Sequence, residues 1–151
     1  MSLWDWSLNA YGREGVADAC LVLQDEHGQN IPLLFWAVWA ETSDPQRLAP
    51  AADIARRWER LAVAPLRAVR RTLKPALAGV SDVAREELRD DVKAVELRAE
   101  RVLLEALEAL GGHRSGAHAL AALEAASATW AGGAAKRAPD NALAALAAAL
   151  S

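Results

Sequence analysis

Apolar residues recur along this chain at intervals of three and four, the spacing that places them on one face of an α-helix. Val16, Cys20 and Leu23 form one such set, and the alternation of apolar and polar residues that marks strands does not occur in the sequence. The pattern predicts an all-α fold, a single-domain helical bundle of about six to seven helices. The predicted helices cover residues 2–11, 15–26, 30–41, 50–77, 81–110, 118–130 and 140–150.

The first and third helices carry clear signals at their ends. Ser2 and Asp5 resemble a capping box, and Gly12 marks the end of the first helix. The third helix is predicted to begin near Asn30, with Pro32 in its first turn, where a missing N–H costs little. Because this helix is apolar on every side, we place it at the centre of the bundle. The first helix is expected to bury a stripe made of Trp4, Leu8 and Tyr11.

Two long helices of matched length follow, over residues 50–77 and 81–110. A bend is expected at Pro65, because proline removes a hydrogen bond from the helical ladder, and Ser81 is a good N-cap for the second helix. The short link between the helices folds them into a long antiparallel helical hairpin. The second helix is predicted to face the first through a seam with coiled-coil spacing, formed by Leu88, Val92, Val95, Ala99, Val102, Ala106 and Ala109.

A chain of 151 residues fits one domain, residues 1–151, with three parts. Residues 1–49 are predicted to form short buried helices, and residues 50–110 form the hairpin. Residues 111–151 are rich in alanine and form C-terminal helices, with a loose linker at 131–137.

The composition also bears on location. Cys20 is the only cysteine, so no disulfide can form within the chain, which suits a reducing compartment. The first residues lack the basic and apolar regions of a signal peptide. The longest apolar run, from Ile31 to Ala40, is far shorter than the ~20 residues that span a bilayer. We therefore expect a cytoplasmic protein with no transmembrane segment.

Charge is unevenly distributed along the predicted hairpin. The net charge is -3, but residues 56–78 carry seven basic residues and one acid, whereas residues 79–110 carry five basic residues and nine acids. On a helical wheel the seven basic residues share one face. This face could be a solvated surface paired with acids of the next helix, a docking surface for an acidic protein, or a contact for nucleic acid or an anionic membrane. Because the net charge of the chain is negative, contact with nucleic acid or an anionic membrane is the least favoured of the three. The basic residues are Arg56, Arg57, Arg60, Arg67, Arg70, Arg71 and Lys74, and the available acids are Glu86, Glu87, Asp90, Asp91, Glu96 and Glu100.

A dense polar segment at residues 24–30 separates the second and third helices. The structural interpretation is a corner whose side chains cap the third helix and satisfy free backbone groups. The functional interpretation is an acid–base set, a metal site or a partner contact, but three consecutive residues point in different directions and rarely converge on one ion. We favour the structural corner and leave a binding role open. The polar residues are Gln24, Asp25, Glu26, His27 and Asn30.

The chain contains six tryptophans, which we interpret mainly as core residues whose indole N–H groups each need an acceptor. In a second interpretation, Trp36, Trp39 and Trp58 line a pocket for an apolar ligand between helices.

Motifs of known chemistry are missing from the sequence. It contains no glycine pattern for phosphate or dinucleotide binding and no nucleophile elbow. Asp90 and Asp91 begin a motif like the metal-binding "DDxxD", but the final aspartate is missing, and Lys93 would place a positive charge inside the metal site. Cys20 lies on an apolar stripe and is expected in the core. We therefore predict no catalytic residue, no metal site and no cofactor.

Three stretches occur in a specific order: LWDWSLNAYGREGVADACLVLQDEHGQNIPLLFWAVWA, then APLRAVRRTLK, then VKAVELRAERVLLEALE. They resemble an uncharacterised bacterial domain-of-unknown-function family of short, Trp-rich helical proteins. The resemblance covers about residues 3–110 and the later stretch NALAAL. It implies no activity, cofactor or site residue that could be carried over to this chain.

Together these observations favour a non-enzymatic interaction or regulatory protein that binds an acidic protein partner through the Arg-rich helix face. The first alternative is a small-molecule or lipid-binding helical protein with a Trp-lined pocket, and the next is a binder of nucleic acid or an anionic surface. The sequence is also compatible with a homo-oligomer. An enzymatic role stays open but is less favoured.

Overall fold

The computed structural model describes residues 1–111, 114–133 and 136–151. These residues form eight α-helices and one π-helical turn, and they contain no strand. The all-α helical bundle predicted from the sequence is confirmed. Its elements are α1 (Leu3–Tyr11), α2 (Val16–Asp25), α3 (Ile31–Trp39), α4 (Pro45–Trp58), the π turn (Glu59–Val63), α5 (Ala64–Thr72), α6 (Asp82–Glu108), α7 (Ala119–Ala131) and α8 (Asp140–Leu150).

Helix α3 lies at the centre, as its apolar composition predicts. Asn30 caps the helix, because its side-chain oxygen accepts the N–H of Leu33 at 2.9 Å, and Pro32 occupies the first turn. The helix packs against α1, α2, α4, α6 and α7. Its buried side chains are Ile31, Leu33, Leu34, Phe35, Trp36 and Ala37.

Helix α1 begins as predicted but buries a different face. The N–H of Asp5 donates to the Ser2 hydroxyl at 3.1 Å, which confirms the cap. The predicted stripe of Trp4, Leu8 and Tyr11 is wrong, since Leu8 and Tyr11 are exposed and the buried residues are Leu3, Ser7 and Ala10. The physical reason is the Ser7 hydroxyl, which donates to the carbonyl of Leu3 at 2.7 Å and so can lie on a buried face.

The first long helical segment of the hairpin, which we call the first rod, covers residues 45–72 rather than the predicted 50–77. It begins at Pro45 because the Asp44 side chain accepts the N–H of Gln46 at 2.9 Å and caps it there. It ends at Thr72, since Lys74 precedes Pro75 and a residue before proline disfavours helical geometry.

The expected disturbance at Pro65 takes the form of the π turn over Glu59–Val63. A regular helix would bring the ring of Pro65 against the carbonyl of Leu61 and leave that carbonyl without its N–H partner. The chain widens instead, and the N–H of Ala64 bonds to the carbonyl of Glu59, five residues back. Helices α4 and α5 therefore form one rod with a change of register.

Helix α6 begins at its Ser81 cap, where the Ser81 hydroxyl accepts the N–H of Ala84 at 3.2 Å, and packs back along the first rod. The hairpin is thus confirmed, but the predicted seam is wrong. Of its seven residues only Ala99 is buried, and Leu88, Val95 and Val102 are about half exposed. The seam was predicted from the spacing of apolar residues alone. The face of α6 that packs in the structure also includes a charged residue, Glu96. The buried residues of α6 are Glu96, Ala99, Leu103, Leu104 and Leu107.

Burial divides the molecule into two regions. No residue from 64 to 95 is buried, and we call this segment the arm and the remaining described residues the body. Helices α7 and α8 complete the body by packing against α3, α4 and α2. The linker predicted at 131–137 lies partly outside the described residues. Among the described helices, none combines the length and hydropathy needed to cross a bilayer.

Candidate functional site

The corner at residues 24–30 is held by hydrogen bonds to the C-terminal helices. The Gln29 side chain donates to the carbonyl of His27 at 3.0 Å and accepts the Ser127 hydroxyl proton at 2.7 Å. Ser127 in turn accepts the N–H of Ala138 at 2.8 Å. The indole N–H of Trp130 donates to the carbonyl of Gly28 at 2.8 Å. These contacts give backbone groups of residues 27, 28 and 138 side-chain partners, which supports the interpretation as a structural corner.

The charged residues of the corner do not converge. Asp25 faces Arg71 on the arm, with 3.7 Å between carboxylate and guanidinium. Glu26 and His27 border a surface groove beside α8, whereas Gln24 borders a different cleft beneath the hairpin. No group of three metal-ligating side chains occurs in the part of the chain that the structure describes.

An ion cluster joins the two rods at the base of the arm. Glu96 lies between two guanidiniums, with its oxygens 2.6 Å from Arg70 Nε and 3.3 Å from Arg67 Nε. Glu100 lies 4.0 Å from Arg67. The four side chains are only 10–25% exposed, so these contacts are screened far less than surface ion pairs. We call these residues the ion cluster.

A narrow polar cleft separates the ion cluster from the corner. Burial raises the pKa of Glu59 and of Glu100, although the neighbouring Arg67 acts in the opposite direction on both. The nearby Asn30 side chain also acts to lower the pKa of Glu59. Shifted carboxyls in a cleft can indicate catalysis. This cleft, however, has a volume of only about 10 Å³, room for about one water molecule.

Three of the seven predicted basic residues turn inward. Arg67 and Arg70 belong to the ion cluster. Arg56 donates to the carbonyls of Thr129 and Trp130 at the end of α7, and its guanidinium lies 5.7 Å from the Trp130 ring centroid. A cation at a helix C-terminus is favourable, so Arg56 fastens the first rod to α7.

The other four basic residues point outward, and we call them the outward cations. Arg57 pairs with Asp53 at 3.2 Å, and both side chains are more than half exposed. Arg71 makes the 3.7 Å contact with Asp25. The side chains of Arg60 and Lys74 make no hydrogen bond or ion pair with the described residues. The outward cations are Arg57, Arg60, Arg71 and Lys74.

The three tryptophans proposed for a ligand pocket occupy separate environments. Trp36 is 1% exposed in the core, with the Arg47 guanidinium 5.9 Å from its ring centroid. Trp58 donates its indole N–H to the carbonyl of Ala99 at 2.8 Å and ties the two rods together. Trp39 borders a surface groove of about 420 Å³, beside Arg114. The structure gives each indole its own neighbours rather than a shared cavity.

The sequence did not predict an open apolar face on the hairpin. Arg67 and Glu100 border the cleft that faces the body. At about 100° per residue, Val69 is turned about 200° from Arg67, and Val95 and Val102 are turned about 140° and 200° from Glu100. These side chains therefore point away from that cleft, and Val102 also lines a surface groove with Trp4 of α1. We call this surface the open face, made of Leu61, Val69, Leu88, Val95 and Val102.

Fold and surface together define an all-helical bundle that carries a charged two-helix arm. The chain belongs to the family described as proteins of unknown function DUF2390, whose model matches residues 2–107. This match confirms the resemblance to a domain-of-unknown-function family, and it ends before the NALAAL stretch. No curated protein matches the chain, and no solved structure matches it.

Proposed function

We propose that the protein is a non-enzymatic interaction protein of the cytoplasm that binds an acidic protein partner through the outward cations. The observation that carries this proposal is the pair Arg60 and Lys74, both exposed and without an ionic partner in the described residues. They stand on the same rod as Arg57 and Arg71, whose own partners are exposed acids. Exposed ion pairs contribute only ~0–1 kcal/mol, so carboxylates of a partner can replace them.

The proposed surface is smaller than the seven-residue face expected from the sequence. Arg56, Arg67 and Arg70 are already engaged within the chain, so four cations remain for a partner. Four surface charges speed and orient association more than they tighten it. Binding should therefore weaken as salt is raised, because the outward cations are screened over about 8–10 Å at physiological ionic strength.

The alternatives have less support. A polar cleft that holds about one water molecule gives no room for a substrate beside Glu59 and Glu100, which supports a non-enzymatic role. The separate environments of the three indoles do not favour a Trp-lined ligand pocket. Trp58 lies in the chain between Arg57 and Arg60, but its indole N–H donates to the carbonyl of Ala99 between the two rods. It is therefore not presented for base stacking, a usual part of single-stranded nucleic-acid binding.

The test compares two double charge reversals. In R60E/K74E, two outward cations without ionic partners become acids, and in the matched control K93E/K136E two exposed lysines elsewhere do so. Proteins captured from a lysate at low and moderate salt would be identified by mass spectrometry, and the strongest would then be purified and titrated. We expect R60E/K74E to weaken that complex at least tenfold and the control to leave it within about twofold.

Equal binding by both variants would contradict the proposal. Capture of nucleic acid rather than protein, lost in R60E/K74E alone, would assign the same surface to the nucleic-acid alternative.

A further inference from the structure

The open face is a set of aliphatic side chains on the hairpin that the fold leaves exposed. Its five aliphatic side chains are 42–74% exposed, although the body buries most of its large aliphatic residues. On α6 they recur every seven residues, the repeat of a helix that packs against another helix. Exposed aliphatic side chains that recur along one face in this way are typical of an interaction site. The α6 members are Leu88, Val95 and Val102.

We propose that the open face binds the open face of a second copy of this chain, with the two α6 helices antiparallel. Two charges beside the aliphatic stripe favour a second copy as the occupant. On the wheel, Asp91 and Arg98 lie within about 60° of Val95 and Val102, on the same edge of the stripe. Neither charge forms an ion pair with the described residues. Asp91 lies toward the arm tip and Arg98 toward the body.

An antiparallel arrangement satisfies both charges. With a two-fold axis passing near Val95, Asp91 of each copy lies opposite Arg98 of the other, so the same favourable pair forms twice. A parallel arrangement of the two α6 helices would set each charge against its own copy, and like charges in close contact are unfavourable. The charge order along α6 therefore selects the antiparallel dimer.

The expected contact area makes this a weak dimer. The open face extends over about 15 residues of α6, from Leu88 to Val102, or about 22 Å at 1.5 Å per residue, and is about 18 Å wide across two packed helices. Each copy would then bury about 400 Å², and the pair about 800 Å², which is less than stable specific interfaces bury and is typical of transient ones. The dimer should therefore form only at high micromolar concentration and exchange rapidly with the monomer.

Sedimentation equilibrium from about 1 to 300 μM tests the proposal. We expect the wild-type chain to show a monomer–dimer equilibrium and Val95→Lys to raise its dissociation constant more than tenfold. Asp91→Arg and Arg98→Asp should each weaken the dimer several-fold, and the double variant D91R/R98D should restore it. Asp90→Arg, which alters an adjacent acid on another face of α6, is the matched control and should change little.

Three outcomes would overturn the proposal: a wild-type chain that stays monomeric throughout, a dimer unaffected by Val95→Lys, or a double variant no stronger than the single ones. Circular dichroism of each variant shows whether it retains its helices, so a loss of dimer is not confused with a loss of fold. If D91R/R98D dimerises again, a chain that carries both substitutions is still folded. The weaker dimers of the single variants would then result from the charges and not from unfolding.

Discussion

The body and the arm are built from the same kind of helix, yet different forces hold them. In the body, Leu34, Phe35 and Leu48 are buried among apolar neighbours, and burial of this kind stabilises by roughly 1.5–3 kcal/mol per large side chain. In the arm no residue is buried, and the rods meet through the ion cluster and an Arg85 side chain that donates to the carbonyl of Leu73 at 3.1 Å. The body therefore contributes most of the stability, whereas the arm contributes mainly exposed side chains.

The largest effect expected from this comparison is a cavity in the body. Leu48→Ala removes a fully buried side chain of α4 and should lower the free energy of unfolding by about 3 kcal/mol. Leu88→Ala, the same substitution on the arm, should change it by less than about 0.5 kcal/mol because the side chain is half exposed. Urea unfolding followed by circular dichroism measures both. Similar losses in the two variants would mean that the arm is as tightly packed as the body.

A smaller effect is expected at the base of the arm. Glu96→Gln removes the carboxylate that two guanidiniums share. Arg70 then lies partly buried without its carboxylate, and Arg67 keeps only the 4.0 Å contact with Glu100, so stability should fall by about 2 kcal/mol. Glu87→Gln, on an exposed position of the same helix, is the control and should have little effect. If Glu96→Gln unfolds at the same urea concentration as the wild type, the ion cluster does not hold the rods together.

The smallest effect concerns the pH dependence of the cleft. Burial raises the pKa of Glu59 above 4.5, so the folded state binds this proton more tightly than the unfolded state does. The ionised carboxyl therefore lowers stability above its raised pKa, and that loss is relieved as the pH falls toward 4.5. Glu59→Gln cannot ionise and should raise the melting temperature slightly at neutral pH, with a gain that shrinks in acid. If the gain in melting temperature grew as the pH fell, the pKa of Glu59 would be lowered in the folded state rather than raised.

The ends of the helices were predictable because they depend on local chemistry. Ser2, Asn30 and Ser81 each accept an N–H of the first turn where the sequence placed a cap. The early start at Pro45 was not predicted, although Asp44 carries the signal, because Pro50 offers a second plausible start five residues later. Local signals of this kind need no knowledge of the neighbouring helices.

The faces of the helices were harder to predict because tertiary pairing can bury polar groups. Ser7 and Glu96 are buried, and each forms a hydrogen bond with another group of the chain. A prediction based only on the spacing of apolar residues misses both. The seven-residue basic face assumes a straight helix. The π turn adds about one residue to its turn and rotates the remainder of the rod by about 100°, so the basic residues after it do not continue the face of those before it. Which cations turn inward is set by acceptors on other helices: Glu96 of α6 binds Arg67 and Arg70, and the end of α7 binds Arg56. A helical wheel of one segment does not contain those acceptors.

The packing of α7 and α8 bears on what counts as the unit of folding. The matched family region ends at residue 107, but α7 covers α3 and α4, and α8 covers α2. A fragment ending at that boundary would open the central helix to water and remove Ser127 from the corner that depends on it. The stretch that the family model matches is therefore shorter than the packed bundle, whose core includes residues of the alanine-rich helices α7 and α8.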